Sequence, residues 1–218
     1  MTLKKHIILI LLVFIASIKP SYAAEDMNKL YAEAVKLIKV NCGDCYKATK
    51  AGLEEGINKL KKFIAIKKTE EQEPLIILRN ALNTMAVVYA VPDSEEKSAY
   101  REEKMAVHKK LLNLYPDDVD VLYEYSVDLR NDVEEEKIFQ RILELDPNHL
   151  YANYELAVIL IQKNDFEGGF SHIRIALKSA VSWDYDNIRA RSLEILSLKK
   201  RMDLVDTLAK EFPVRKKN

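Results

Sequence analysis

The chain has little of the two residues that most often make turns. Glycine occurs 5 times and proline 6 times in 218 residues, about 5% together where roughly 12% is usual. A sandwich, a barrel or another loop-rich fold needs more such positions, so the scarcity leaves a compact, mostly helical chain. Cysteine occurs only 2 times, too few for a fold held by a disulfide framework. Charge of one sign is also lacking. With 34 basic residues against 34 acidic ones there is no global field to concentrate nucleic acid or an anionic membrane surface. Disorder is excluded from the other side, because 48% hydrophobic residues beside 31% charged ones supply enough apolar surface for a core.

Long apolar runs are absent except for one, Ile7 to Ile18, which follows Lys4, Lys5 and His6 and precedes Lys19, Pro20 and the small-residue pattern Ser21, Tyr22, Ala23. Basic, apolar and small-residue segments in that order predict a secretory signal peptide over residues 1–23, cleaved after Ala23. The run is shorter than the roughly 17 to 25 residues of a membrane span, and no cysteine follows it to carry a lipid. Removing Lys4, Lys5 and Lys19 leaves 31 basic against 34 acidic residues, a mildly acidic mature chain. The expectation is a periplasmic or secreted protein, most simply a bacterial periplasmic one, with no stable membrane insertion after cleavage and no nucleic-acid partner.

After Asp26, apolar residues recur at helical spacing. Leu30, Ala34, Leu37 and Ile38 make one stripe, and Leu53, Ile57, Leu60 and Ile64 make the next. Lys67 and Lys68 stand at its carboxyl end, where cations suit the helix dipole. Pro74 predicts the first turn of a third helix. Pro116, Pro147 and Pro213 each follow a helical stretch, 31 and then 66 residues apart, the second gap close to twice the first. Spacing of that size marks a helical repeat.

The clearest copy runs from Asp146 to Ala180. Leu156, Ala157 and Leu160 fall in register on a first helix, Lys163, Asn164 and Asp165 turn the chain, and Phe166, Gly169, Ile173, Ala176 and Leu177 lie on a second. This pattern resembles the tetratricopeptide repeat, in which small residues let two antiparallel helices approach while large ones fill the gaps. The preceding copy carries Leu122, Tyr125, Ser126 and Leu129, then Phe139, Ile142 and Leu143, is short in its turn, and has Glu135 near a position the family keeps small. The copy before that carries Leu82, Met85, Ala86 and Tyr89, then Leu111 and Leu112, with an insertion around Val91 to Ser98. Residues 184–212 depart from the pattern at Ala190 and Arg191 and read as a terminal cap.

The resemblance implies an all-α fold of antiparallel helix pairs stacked as a solenoid. A signal peptide (1–23) precedes an amino-terminal hairpin (24–70) closed by Gly52 and Gly56, the repeat array with its cap (71–213) and a basic tail (214–218). It also implies a concave face lined by the first helix of each pair. The matching positions are Asn80, Asn83 and Val87, then Tyr123, Val127 and Arg130, then Tyr151, Tyr154, Val158 and Gln162. Tyrosine suits a binding surface because it brings contact area and a polar tip at low entropic cost. At the positions where some family members clamp a carboxyl terminus with lysine, arginine and asparagine, this chain carries residues such as Tyr123, Val127, Tyr154 and Val158. A protein or peptide segment with apolar anchors is therefore the expected partner, with self-association as another mode.

Cys42 and Cys45, with two residues between them, fall at the expected first turn. An exported chain permits a disulfide there, a helix amino terminus would lower a thiol pKa for a redox role on a recruited client, and metal binding is a third reading. Tyr46 stands where haem attachment would need histidine. No cofactor is called for, since the chain has no nucleophile elbow, no phosphate-cradling glycine loop and no zinc-binding His-Glu-x-x-His helix. Of the histidines, His108 is expected on the apolar side of a helix, His149 at a helix start and His172 on an outer face. The sequence thus points to a binding protein rather than an enzyme.

Overall fold

The computed structural model describes residues 24–43, 49–129 and 132–215. Among them are ten α-helices and no strand. Helices α1 (Ala24–Gly43), α2 (Lys50–Lys67) and α3 (Gln72–Thr84) come first, the last running on into a single π-turn, Met85–Tyr89. Then follow α4 (Glu95–Leu114), α5 (Val119–Asp128), α6 (Asp132–Leu145), α7 (Leu150–Gln162), α8 (Phe166–Ser179), α9 (Ser182–Leu198) and α10 (Met202–Glu211). The expected signal peptide, the residues between α1 and Thr49, Arg130 and most of the basic tail lie outside the described residues. The chain divides into two units between Val107 and His108, within α4.

In the first unit α1 and α2 pack along each other and both meet α3. Ala34 and Ile38 from α1, Leu53, Ile57 and Leu60 from α2, and Leu75, Leu78 and Leu82 from α3 are buried. Gly56 sets the spacing: a Cβ there would lie 2.9 Å from Ile38 Cγ1 and 3.1 Å from Leu37 Cβ. Asn41 links the hairpin's ends by accepting from the Thr49 amide at 2.7 Å, and Thr49 caps α2 through the Gly52 amide.

The second unit stacks helix pairs in sequence order, α5 on α6, α6 on α7, α7 on α8 and α9 on α10, with α9 also meeting α7 and α8. Proline spacing is turn spacing here. Tyr115-Pro116-Asp117-Asp118 and Asp146-Pro147-Asn148-His149 make the same four-residue turn, closed by Asp118 N to Tyr115 O at 3.3 Å and His149 N to Asp146 O at 3.1 Å. Each ends in a residue whose side chain caps the next helix, Asp118 through Val121 N and His149 through Ala152 N. Where α7 meets α8, Asn164 adopts a left-handed φ of 66°. Asp165 N then reaches Leu160 O at 2.9 Å and Asn164 N reaches Ile161 O at 3.0 Å, the Schellman closure. Lys200 repeats it between α9 and α10, with Arg201 N to Leu196 O at 2.9 Å. Two apolar clusters result, one around Leu122, Phe139, Ile142 and Leu156, the other around Ala157, Ile161, Ile173, Leu177, Leu196 and Leu208.

His172 does not stand on the outer face. It turns toward α7, where its Nδ1 meets Asn153 Oδ1 at 2.8 Å, because Asn153 offers a buried acceptor one helix away. Burial holds the imidazole below its ordinary pKa near 6.5, against an opposing pull from Asp165. Above pH 6.5 both folded and unfolded chains keep the ring neutral. As pH falls below 6.5 the unfolded chain takes up the proton first, so stability drops until the folded-state pKa is passed. The difference in melting temperature between the parent and His172→Gln should therefore change between pH 7.5 and 5.5, the parent losing more. Equal losses would remove this role.

His108 is packed as expected, 1% exposed, with Nε2 2.7 Å from Asp128 Oδ2.

Candidate functional site

Helical spacing determines which side chains share a face. On α7, Tyr151, Tyr154, Glu155 and Val158 form one stripe. On α5 the matching stripe is Tyr123, Glu124 and Val127, and on α9 it is Asp184, Arg191 and Glu194. These three first helices share cores: Leu122 belongs to one apolar cluster with Ala152 and Leu156, and Tyr154 to another with Tyr185 and Ile188. The stripes meet at their centre. The rings of Tyr123 and Tyr151 stack with centroids 5.6 Å apart and planes 26° from parallel, the His149 ring lies 5.4 Å from Tyr123, and Tyr151 Oη donates to Asp184 Oδ1 at 2.9 Å.

The expected lining residues fare differently. Tyr151 is 40% exposed and Val127 also faces outward. Tyr123 and Val158 are half-buried. Tyr154 is only 8% exposed, because α9 covers its ring, and its hydroxyl end faces Arg191. The carbonyl of Gln162 accepts from Lys199 Nζ at 3.1 Å, which closes that end of the stripe. Arg130 lies outside the described residues, as does Cys45, and nothing is described of the Cys42 side chain.

The first unit holds the remaining candidates. Asn80 Oδ1 accepts from Arg79 and Asn83 Oδ1 from Lys104 Nζ at 2.9 Å. Val87 sits in the π-turn, 65% exposed beside an equally exposed Val88.

Electrostatics single out a residue that the expected pattern omits. Burial raises the pKa of Glu155, with Glu135 adding to the rise and Arg191 opposing it. Burial likewise pushes the Tyr123 phenol up to about 12, helped by Glu155, Tyr151 and Glu124. Glu155, Asp184 and Arg191 are therefore the site residues that were not foreseen. Glu155 could have been found on a helical wheel, since it lies four residues after Tyr151 and three before Val158. Arg191 looked like a break in the repeat pattern, and it stands exposed with its charge acting on Tyr154 and Glu155. Trp183, the chain's single tryptophan, is 74% exposed at the start of α9.

No protein-family model matches the chain, and no curated protein matches it. Solved structures do. One is MamA (residue 41 to the end) from Desulfovibrio magneticus RS-1, with a TM-score of 0.55 and 17% identity over 83% of this chain and 92% of that one. Another is TTC0263, described as a thermophilic TPR protein in Thermus thermophilus, with a TM-score of 0.52 and 16% identity over 78% of this chain and 81% of that one. The fold is the tetratricopeptide-repeat fold. The copy at α7 and α8 fits it best, with Ala157 and Gly169 at the crossing. The cap at α9 and α10 keeps the helix pair while Ala190 and Arg191 are both exposed, so neither position is asked to fill a core. Among the described residues no helix is long and apolar enough to cross a membrane.

Proposed function

We propose that this protein is an exported, non-enzymatic scaffold that binds a segment of another protein on the face of α5, α7 and α9. The observation that carries the reading is the stacked, solvent-reachable pair Tyr123 and Tyr151, set on two neighbouring first helices with the exposed Val127 beside it. Packed side chains of that kind present a rigid surface that loses little entropy when covered. The tetratricopeptide-repeat fold supports the reading, because stacked helix pairs make an extended surface suited to a chain segment. Export rests on the residues 1–23 pattern alone.

The test is photo-crosslinking from position 151 in intact cells. Capture of a defined protein that disappears when Tyr123→Ala is added, in a chain that still folds, is the expected result. Capture that ignores Tyr123→Ala would move the site elsewhere, and capture of this chain alone would make the face a self-association surface. A mature amino terminus at Ala24 in the periplasmic fraction is the matching expectation for export, and retention of Met1 in the cytosol would overturn it.

A further inference from the structure

We propose that the segment bound on this face is basic, and that one of its lysine or arginine side chains seats against the Tyr123 and Tyr151 rings with its charge beside Glu155. This rests on the reading of α5, α7 and α9 as the binding face and adds the chemistry of the occupant.

The argument starts from the rings. The faces of tyrosine and phenylalanine attract a cation through the ring quadrupole. The second unit uses this attraction internally: the Arg174 guanidinium lies 4.5 Å from the Phe170 ring centroid, Arg201 4.6 Å from Phe166, and Arg215 3.7 Å from Tyr185. Tyr151 offers the same chemistry outward.

Charge supplies the second step. The stripes that surround the rings carry Glu124, Glu155, Asp184 and Glu194, and Glu135 adds its field from α6. Among their described residues, Arg191 is the mid-stripe cation. Glu155 is the central acid. Its carboxylate is half-buried with no hydrogen-bond donor on it among the described residues, so water has been partly removed without replacement. An incoming ammonium or guanidinium would restore what burial took away, and a charge-assisted hydrogen bond to a carboxylate is roughly twice as strong as a neutral one. An acidic segment would meet the opposite field, with Arg191 as the mid-stripe cation among the described residues to receive it. Apolar anchors remain useful beside the cation, since Val127 and Val158 extend the same face.

The experiment uses the mature chain and short fluorescent synthetic peptides that share leucine and tyrosine residues and differ only in carrying lysine, glutamine or glutamate elsewhere. The lysine peptide should bind about tenfold tighter than the glutamine peptide, the effect of one such buried contact, and the glutamate peptide should bind weakest. In Glu155→Gln the ratio of lysine-peptide to glutamine-peptide affinity should fall about tenfold, and in Arg191→Gln it should rise. Folding of Glu155→Gln is checked by its melt. Burial disfavours the charge that the change removes, so its midpoint should rise at pH 7, where the unfolded chain carries that carboxylate ionised, and not at pH 4, below the ordinary carboxylate pKa. If all three peptides bind alike and Tyr123→Ala with Tyr151→Ala abolishes all three, the face binds segments but not by charge, and this inference falls alone. Tightest binding of the glutamate peptide also overturns it. Binding of none, or binding indifferent to both tyrosines, overturns the face itself.

Discussion

Gly169→Leu should lower the stability of the chain by about 3 kcal/mol or more, read as a drop of roughly 6 to 12 °C in the thermal midpoint. A Cβ at position 169 would lie 2.6 Å from Ile161 Cγ1 and 3.0 Å from the carbonyl oxygen of Ala157. One obstacle is fully buried side chain and the other is backbone, so neither can swing aside. Helix α8 would have to lift off α7, opening the cluster that holds Ile173, Ala176 and Leu177. Helix propensity pushes the other way, since glycine inside a helix costs about 1 kcal/mol relative to alanine. Gly169→Ala therefore tests which effect is larger, and a net loss is expected. Gly168→Ala is the control. Its Cβ would meet the Asp165 carboxylate at 2.5 Å, a movable capping side chain, so gained propensity and a weakened cap should nearly cancel. A stabilised Gly169→Ala would show that the two helices are free to slide apart.

Asn153→Leu should cost about 2 to 4 kcal/mol although the shapes are similar. Asn153 is fully buried on α7. Its Nδ2 donates to Pro147 O and His149 O, each at 3.0 Å, while its Oδ1 meets His172 Nδ1 at 2.8 Å. One amide thus ties the proline turn before α7 to the middle of α8. Leucine would leave the Pro147 carbonyl and the His172 ring nitrogen without those bonds, and a buried polar group left unmade costs more than a made one contributes. Adding His172→Leu should recover part of the loss, because both sides of one bond are then apolar. A double variant that is simply additive would show that the two residues do not act together.

Much of the second unit was legible because its signals are local. Pro116 and Pro147 begin turns that each close within four residues. The crossing of α7 and α8 needs only Ala157 and Gly169, twelve residues apart, and Asn164 suits the left-handed turn between them. What was not legible depends on a neighbour supplied later in the chain. Tyr154 read as a lining residue until α9 arrived to cover its ring. Glu155 had no place in the repeat pattern, and it is Arg191 and Tyr123, brought near it by neighbouring helices, that give it one. His172 was assigned to the outside by its place on α8, and the acceptor that turns it inward is on α7. The π-turn at Met85–Tyr89 had no signature, since five apolar and aromatic residues in a row suit an α-helix equally well.

The three helices of the proposed binding face are not the same length. α5 has 10 residues, α7 has 13 and α9 has 17, which at about 1.5 Å per residue makes them roughly 15, 20 and 25 Å long. Their stripes therefore broaden in one order only, from α5 to α9, and the aromatic pair sits toward the narrow side with the acid and base of α9 on the wide one. A segment laid across them cannot be turned end for end without exchanging its neighbours, so the face itself has a head and a tail.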